Sequence, residues 1–165
     1  MRINPPDMEA AMVNFKHILY PTDFSPYSTV ALDYCISLAH KYQSKISILH
    51  VVEVFLPDPE YLTLYGEIDT IYKQFEKDAE KRMASLLEKN QFKKLDISSH
   101  IIIGKPFIEI IQFSRNNNTD LIVMGSHGKS ALSHILFGST ADKVVTKASC
   151  PVLIVKHPEH TFVMP

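Results

Sequence analysis

Apolar residues fall along this chain in two alternating rhythms, short continuous runs and longer stretches at helical spacing. Residues 16–22 hold Ile18, Leu19 and Tyr20 ahead of Pro21, as expected of a strand buried on both faces. Ser25 and Pro26 then suit a helix N-cap and a first helical residue whose missing N–H costs nothing. The helix they begin extends to about Tyr42, with Ala31, Cys35, Leu38, Ala39 and Tyr42 on one face. A second apolar run, 45–52, is interrupted only by Ser47 and His50 and predicts the next strand.

The rhythm breaks over 53–66, where Pro57, Pro59, Tyr61 and Tyr65 follow no period; a long irregular connection, or lid, is expected. A helix over 68–89 follows, its apolar stripe formed by Ile68, Tyr72, Phe75, Ala79, Met83, Leu86 and Leu87. Residues 95–103 alternate, with Leu95, Ile97, Ser99, Ile101 and Ile103 on one side, which predicts an edge strand. Pro106 opens a helix in which Phe107, Ile110, Ile111 and Ser114 share a face, and Asn116, Asn117 and Asn118 close it. A strand over 121–124 leads to the last helix, starting near Ser139 with Ala141, Val144, Val145 and Ala148 inward. Cys150 and Pro151 end that helix before the strand Val152–Val155. Strict alternation of strands and helices predicts an α/β fold, an open five-stranded parallel sheet with helices on both faces.

Composition narrows the class. A chain of 165 residues suits one domain, taken as 15–156, with 1–14 a loosely held extension and 157–165 a tail. Apolar residues at 45% and charged residues at 21% are ordinary for a globular protein. A net charge of -1 provides no field for a polyanion, so neither nucleic acid nor a membrane is expected as a partner. The first residues carry Asp7, Glu9 and two prolines and do not read as a signal peptide, and no apolar run is long enough to span a bilayer. A cytoplasmic protein is the expectation. Cys35 and Cys150 form no CxxC pair and read as buried thiols.

The chemistry concentrates after the fourth strand. Three of five glycines, Gly125, Gly128 and Gly138, fall there. Glycine permits positive φ and close backbone approach, so the cluster suits either tight turns or main-chain N–H groups facing an anion. In open parallel sheets ligands bind beyond the carboxyl ends of the strands, where strand order reverses. That rule selects Pro21, Thr22 and Asp23 after the first strand, His50 to Glu53 after the second, and the glycine segment after the fourth. Together they suit a nucleotide, glycine N–H groups and a helix start for phosphates and a carboxylate for ribose hydroxyls. Gly128-Lys129-Ser130 imitates the end of a P-loop, but the earlier glycine position is Val123, and GxGxxG is absent as well.

The spacing that is present, Gly125-x2-Gly128-x9-Gly138-Ser139-Thr140, resembles the G-2x-G-9x-G-[S/T] pattern of the nucleotide-binding branch of the universal stress protein family. The opening Ile18-Leu19-Tyr20-Pro21-Thr22-Asp23-Phe24-Ser25 is similar to that family's first strand and turn, and the likeness extends over about 15–156. The resemblance implies strand order 3-2-1-4-5 in an adenine nucleotide alpha-hydrolase-like, Rossmann-type fold, and a homodimer joined along Val152–Val155. It implies ATP or another adenine nucleotide as ligand, with Mg²⁺ bridging its phosphates. Pro21, Thr22 and Asp23 would lie near ribose or adenine, the Val51 backbone at the adenine edge, and Gly125, His127, Gly128, Gly138, Ser139 and Thr140 around the phosphates. The nine residues between Gly128 and Gly138 would form a flap.

Plainer roles stand beside these: Asp23 as a helix-capping residue, His127 and Lys129 as solvated loop residues. His157 and His160 lack a third ligand, and no metal site is expected. No general base or arginine finger emerges, since Arg82 and Arg115 fall on helices without aim at the glycine turn. The expected function is therefore a stress-response regulatory or protective module with at most weak ATP hydrolysis. The alternatives are a nucleotide-free dimeric interaction protein of the same fold and a slow ATPase.

Overall fold

The computed structural model describes residues 13–53, 68–89, 92–128 and 138–158. The expected lid beyond Glu53, the flap with Lys129, and His160 lie outside the described residues. Nine elements follow in order: β1 (His17–Pro21), α1 (Pro26–Tyr42), β2 (Lys45–Glu53), α2 (Ile68–Leu87), β3 (Ile97–Gly104), α3 (Pro106–Asn116), β4 (Leu121–Gly125), α4 (Ser139–Lys147) and β5 (Val152–Val155). All strand pairs are parallel, in the order β3-β2-β1-β4-β5. The chain moves outward from β1 to β3 and then returns to place β4 on the other side of β1. Strand order therefore reverses between β1 and β4, which is where such sheets bind ligands.

Successive strand residues point to opposite faces, so each face has its own core. On one, Ile18, Tyr20, Ile46, Ile48 and Val123 pack with Ala31, Leu32, Cys35 and Ala39 of α1 and Met83 and Leu86 of α2. On the other, Leu19, Leu49, Ile122 and Met124 meet Ile110 and Phe113 of α3 and Ala141 and Val144 of α4. β3 is an edge strand in which no residue is fully buried, as its alternation implies. None of the helices among the described residues is long and apolar enough to cross a membrane.

Ile103, in the alternating apolar set of β3, is 41% exposed, and two apolar positions assigned to inner helix faces are exposed, Phe75 at 51% and Val145 at 47%. At 100° per residue, an i, i+4 step drifts by about 40°, which carries both to the margin of stripes centred on Ala79, Met83 and Leu86 and on Ala141 and Val144. Cys35 is fully buried, and burial pushes its thiol up to about 12, whereas Cys150 is only partly covered.

Candidate functional site at the carboxyl ends of β1, β2 and β4

A dense set of hydroxyls holds the turn from β1 into α1. Ser25 caps the helix, its Oγ accepting from the Ser28 N–H at 3.2 Å, with Pro26 in the first turn. Thr22 Oγ1 accepts from the Phe24 N–H at 3.0 Å and lies 3.0 Å from Ser28 Oγ. The Tyr20 hydroxyl donates to the Ser28 carbonyl at 2.8 Å, and burial pushes it up to about 12. From β2, His50 Nδ1 lies 2.7 Å from the Thr22 carbonyl, so that nitrogen carries the hydrogen. These contacts hold Phe24 at a φ of 60°, with its ring 4.4 Å from the His50 ring. A phenylalanine in this left-handed region is strained and persists where its surroundings enforce it. His50 falls in the stretch that the strand-end rule selects, whereas Ser28 is a residue that sequence reasoning missed; the Ser-x-x-Ser spacing after Asp23 is the signal for it.

Asp23 serves the helix entry with one carboxylate oxygen and faces the glycine turn with the other. Its Oδ1 accepts from the Ser25 N–H at 3.0 Å, which steadies the helix entry. Its Oδ2 lies 2.7 Å from where a Cβ on Gly128 would stand. The fold thus brings together a carboxylate and a glycine far apart in sequence. Val51 lies on β2 beyond the last β1 pair, Pro21 with Leu49. Leu49 accepts the Thr22 N–H from the β1 side at 2.9 Å, and the two-residue period of a strand turns the Val51 N–H and C=O to that same side.

None of the glycines among the described residues has a positive φ; at Gly125 and Gly128 close approach is the requirement. At Gly125 a Cβ would stand 2.8 Å from the Tyr27 carbonyl oxygen, so this glycine lets the end of β4 pack on the first turn of α1. Gly138 has ordinary clearance, with nothing nearer than 3.5 Å, and its N–H donates to the Ser126 carbonyl at 2.8 Å. That bond ties the start of α4 to the end of β4, and the Gly138 N–H is therefore not turned toward an anion. His127 is buried at 6% exposure, its Nδ1 2.9 Å from Ser126 Oγ and its ring 6.2 Å from that of Tyr27, which removes the reading of a solvated loop side chain. Ser139 is exposed and Thr140 half-buried, both in the first turn of α4. The first N–H groups of a helix have no intrahelical acceptor and lie at the positive end of its dipole, so this turn favours an anion.

Asp23, Gly128 and the start of α4 therefore come together where strand order reverses between β1 and β4, with Val51 near the end of the neighbouring β2. Among the described residues no three of His, Cys, Asp and Glu cluster to hold a metal.

Relatives carry the same architecture. The chain is 34% identical over 149 residues to the universal stress protein MJ0531 of Methanocaldococcus jannaschii, covering 88% of this chain and 84% of that protein. It is also 34% identical to the universal stress protein MJ0577 of the same organism, over 87% of this chain and 96% of the relative. The solved structure of MJ0577 superposes with a TM-score of 0.78 at 29% identity, covering 89% of this chain and 99% of that one. A universal stress protein described in complex with cAMP shares the fold, with a TM-score of 0.57 and 22% identity over 87% of this chain and 98% of its own. The sequence profile of the universal stress protein family matches residues 14–156, from before β1 to just past β5. Agreement of sequence over nearly the whole chain, together with the shared fold, places this protein in the universal stress protein family.

Proposed function

We propose that this chain binds ATP or another adenine nucleotide in the crevice between β1 and β4 and acts as a stress-response regulatory or protective module rather than an efficient enzyme. The observation that carries the reading is the apposition of Asp23 Oδ2 to Gly128, a ribose-type carboxylate set against the turn that approaches the phosphates. In this reading Asp23 accepts from ribose hydroxyls, and the Val51 main chain pairs with the adenine edge between Pro21 and Thr22. Gly128, Ser139 and Thr140 face the phosphates, with Gly125 and Gly138 shaping the turn and His127 supporting it through Ser126. Mg²⁺ would be held mainly by phosphate oxygens. Dimerisation along Val152–Val155 belongs to the same proposal; β5 is an edge strand with β4 on one side.

Calorimetry with ATP and Mg²⁺ tests the binding reading, and no detectable heat of binding at millimolar nucleotide overturns it. Mass spectrometry of freshly purified, denatured protein should release an adenine nucleotide if one is carried along.

A further inference from the structure

We propose a second ligand site, separate from the nucleotide crevice, that accepts a small organic anion with an apolar body between α1 and α2. A cavity of about 270 Å³ opens there, lined by Tyr20, Thr22 and Phe24 of the β1–α1 turn, Thr29 of α1, and Arg82, Ser85, Leu86 and Lys89 at the end of α2. That volume is close to the lower end of the roughly 300–1,000 Å³ typical of ligand pockets, so the ligand is small. Buried Tyr20 and Leu86 and the Phe24 ring form an apolar floor and wall. Thr29 and Ser85 complete the lining, the Thr29 hydroxyl donating to the Ser25 carbonyl at 3.1 Å.

The sign of the ligand's charge follows from the rest of the lining. Arg82 lies in the last turns of α2 and Lys89 two residues past its end, and both line the same cavity. Among the described residues no carboxylate lines it. Among the described residues the one ion pair joins Lys81 to Asp78 at 3.7 Å, and neither Arg82 nor Lys89 takes part in it. Two cations over an apolar floor complement a carboxylate or phosphate on an apolar scaffold.

The cavity lies on the α1 and α2 face, while Val51 of the proposed nucleotide site packs on the opposite face. Of the proposed nucleotide contacts, only Thr22 also lines it. The strained Phe24 is its wall and stacks on His50, so the second site abuts the turn that holds Asp23 without depending on nucleotide for its formation.

Fluorescence titration of the full chain with 1-anilinonaphthalene-8-sulfonate, in the absence of nucleotide, tests this. The neutral analogue N-phenyl-1-naphthylamine serves as control. Arg82→Gln with Lys89→Gln should weaken the anionic probe by at least about tenfold and leave the neutral probe within about twofold. Arg82, Ser85 and Lys89 are exposed, so these variants should keep the parent's thermal midpoint. Ser85→Trp should obstruct the mouth and weaken both probes. Lys147→Gln, an exposed cation at the end of α4 that lines neither site, should leave the anionic probe unaffected, and the titration contains no nucleotide, which separates this site from the fate of the nucleotide reading. Anionic-probe binding within about twofold of the parent in the double variant, or an equal loss in Lys147→Gln, would overturn the proposal.

Discussion

Replacement of Gly128 by alanine isolates the contact on which the nucleotide reading rests. Gly128 does not have a positive φ, so alanine brings no backbone strain of its own. The added methyl would stand 2.7 Å from Asp23 Oδ2 and 3.5 Å from its Cγ. Carbon and oxygen need about 3.4 Å for ordinary contact, so one partner must retreat by well over half an ångström. Rotation of the carboxylate is opposed by its bond to the Ser25 N–H at 3.0 Å, and movement of residue 128 displaces the phosphate turn. Either way the two halves of the site separate. A hydrogen bond to a charged group contributes about 1.5–3 kcal/mol, so nucleotide affinity should fall by roughly 10- to 100-fold. Asp23→Ala should cost a similar amount, but adding Gly128→Ala to it should cost little, because the obstructing oxygen is gone. The four proteins form a double-mutant cycle with an expected coupling of about 1 kcal/mol or more. Titration calorimetry with ATP and Mg²⁺ reads it directly. Gly128→Ala binding within about twofold of the parent, or two losses that simply add, would refute the reasoning.

Other outcomes concern the framework. Gly125→Ala sets a Cβ 2.8 Å from a main-chain oxygen of Tyr27 that cannot rotate aside, and should destabilise the fold by about 1–3 kcal/mol in urea; Gly138→Ala, with ordinary clearance, should cost less than about 1 kcal/mol. Equal losses at the two positions would contradict the packing role given to Gly125. Ser25→Ala removes the side-chain cap of α1 and should cost about 1 kcal/mol, and a denaturation midpoint equal to the parent's would deny that cap its role. Burial raises Cys35 from 9.0 and Tyr20 from 10.0, each to about 12. The unfolded chain therefore loses these protons first, and stability, fully present below pH 9, should fall as pH rises toward 12, by up to about 1.4 kcal/mol per pH unit for each group. Cys35→Ala should make that decline shallower, and a parent whose stability stays level from pH 8.5 to pH 11 would show that neither group is perturbed.

Much of the fold was legible before any coordinates because periodicity reports burial. An apolar run marked β1 as a strand covered on both faces, further apolar stretches marked β2 and β4 as strands, and the alternation along 95–103 marked β3 as an edge. Ser25 and Pro26 announced the start of α1 through local chemistry alone. Phe75 and Val145 were misplaced because a one-dimensional stripe does not say where the covered arc of a helix ends. Cys150 likewise shows that a residue type indicates burial only on average.

The sequence by itself determined the alternation of strands and helices, the capping of α1 and the concentration of glycines after β4, since these depend on residue type and short spacing. What each glycine is for was decided by the tertiary structure. Positive φ is a local property and accounts for none of the four described. Gly125 makes room for Tyr27 of α1, Gly128 admits the carboxylate of Asp23, and Gly138 ties α4 to β4 through Ser126. Tyr27 and Asp23 are supplied by the order β3-β2-β1-β4-β5, which places β4 beside β1 and its following helix. Contacts between residues a hundred positions apart are set by packing of the sheet, and no local pattern encodes them.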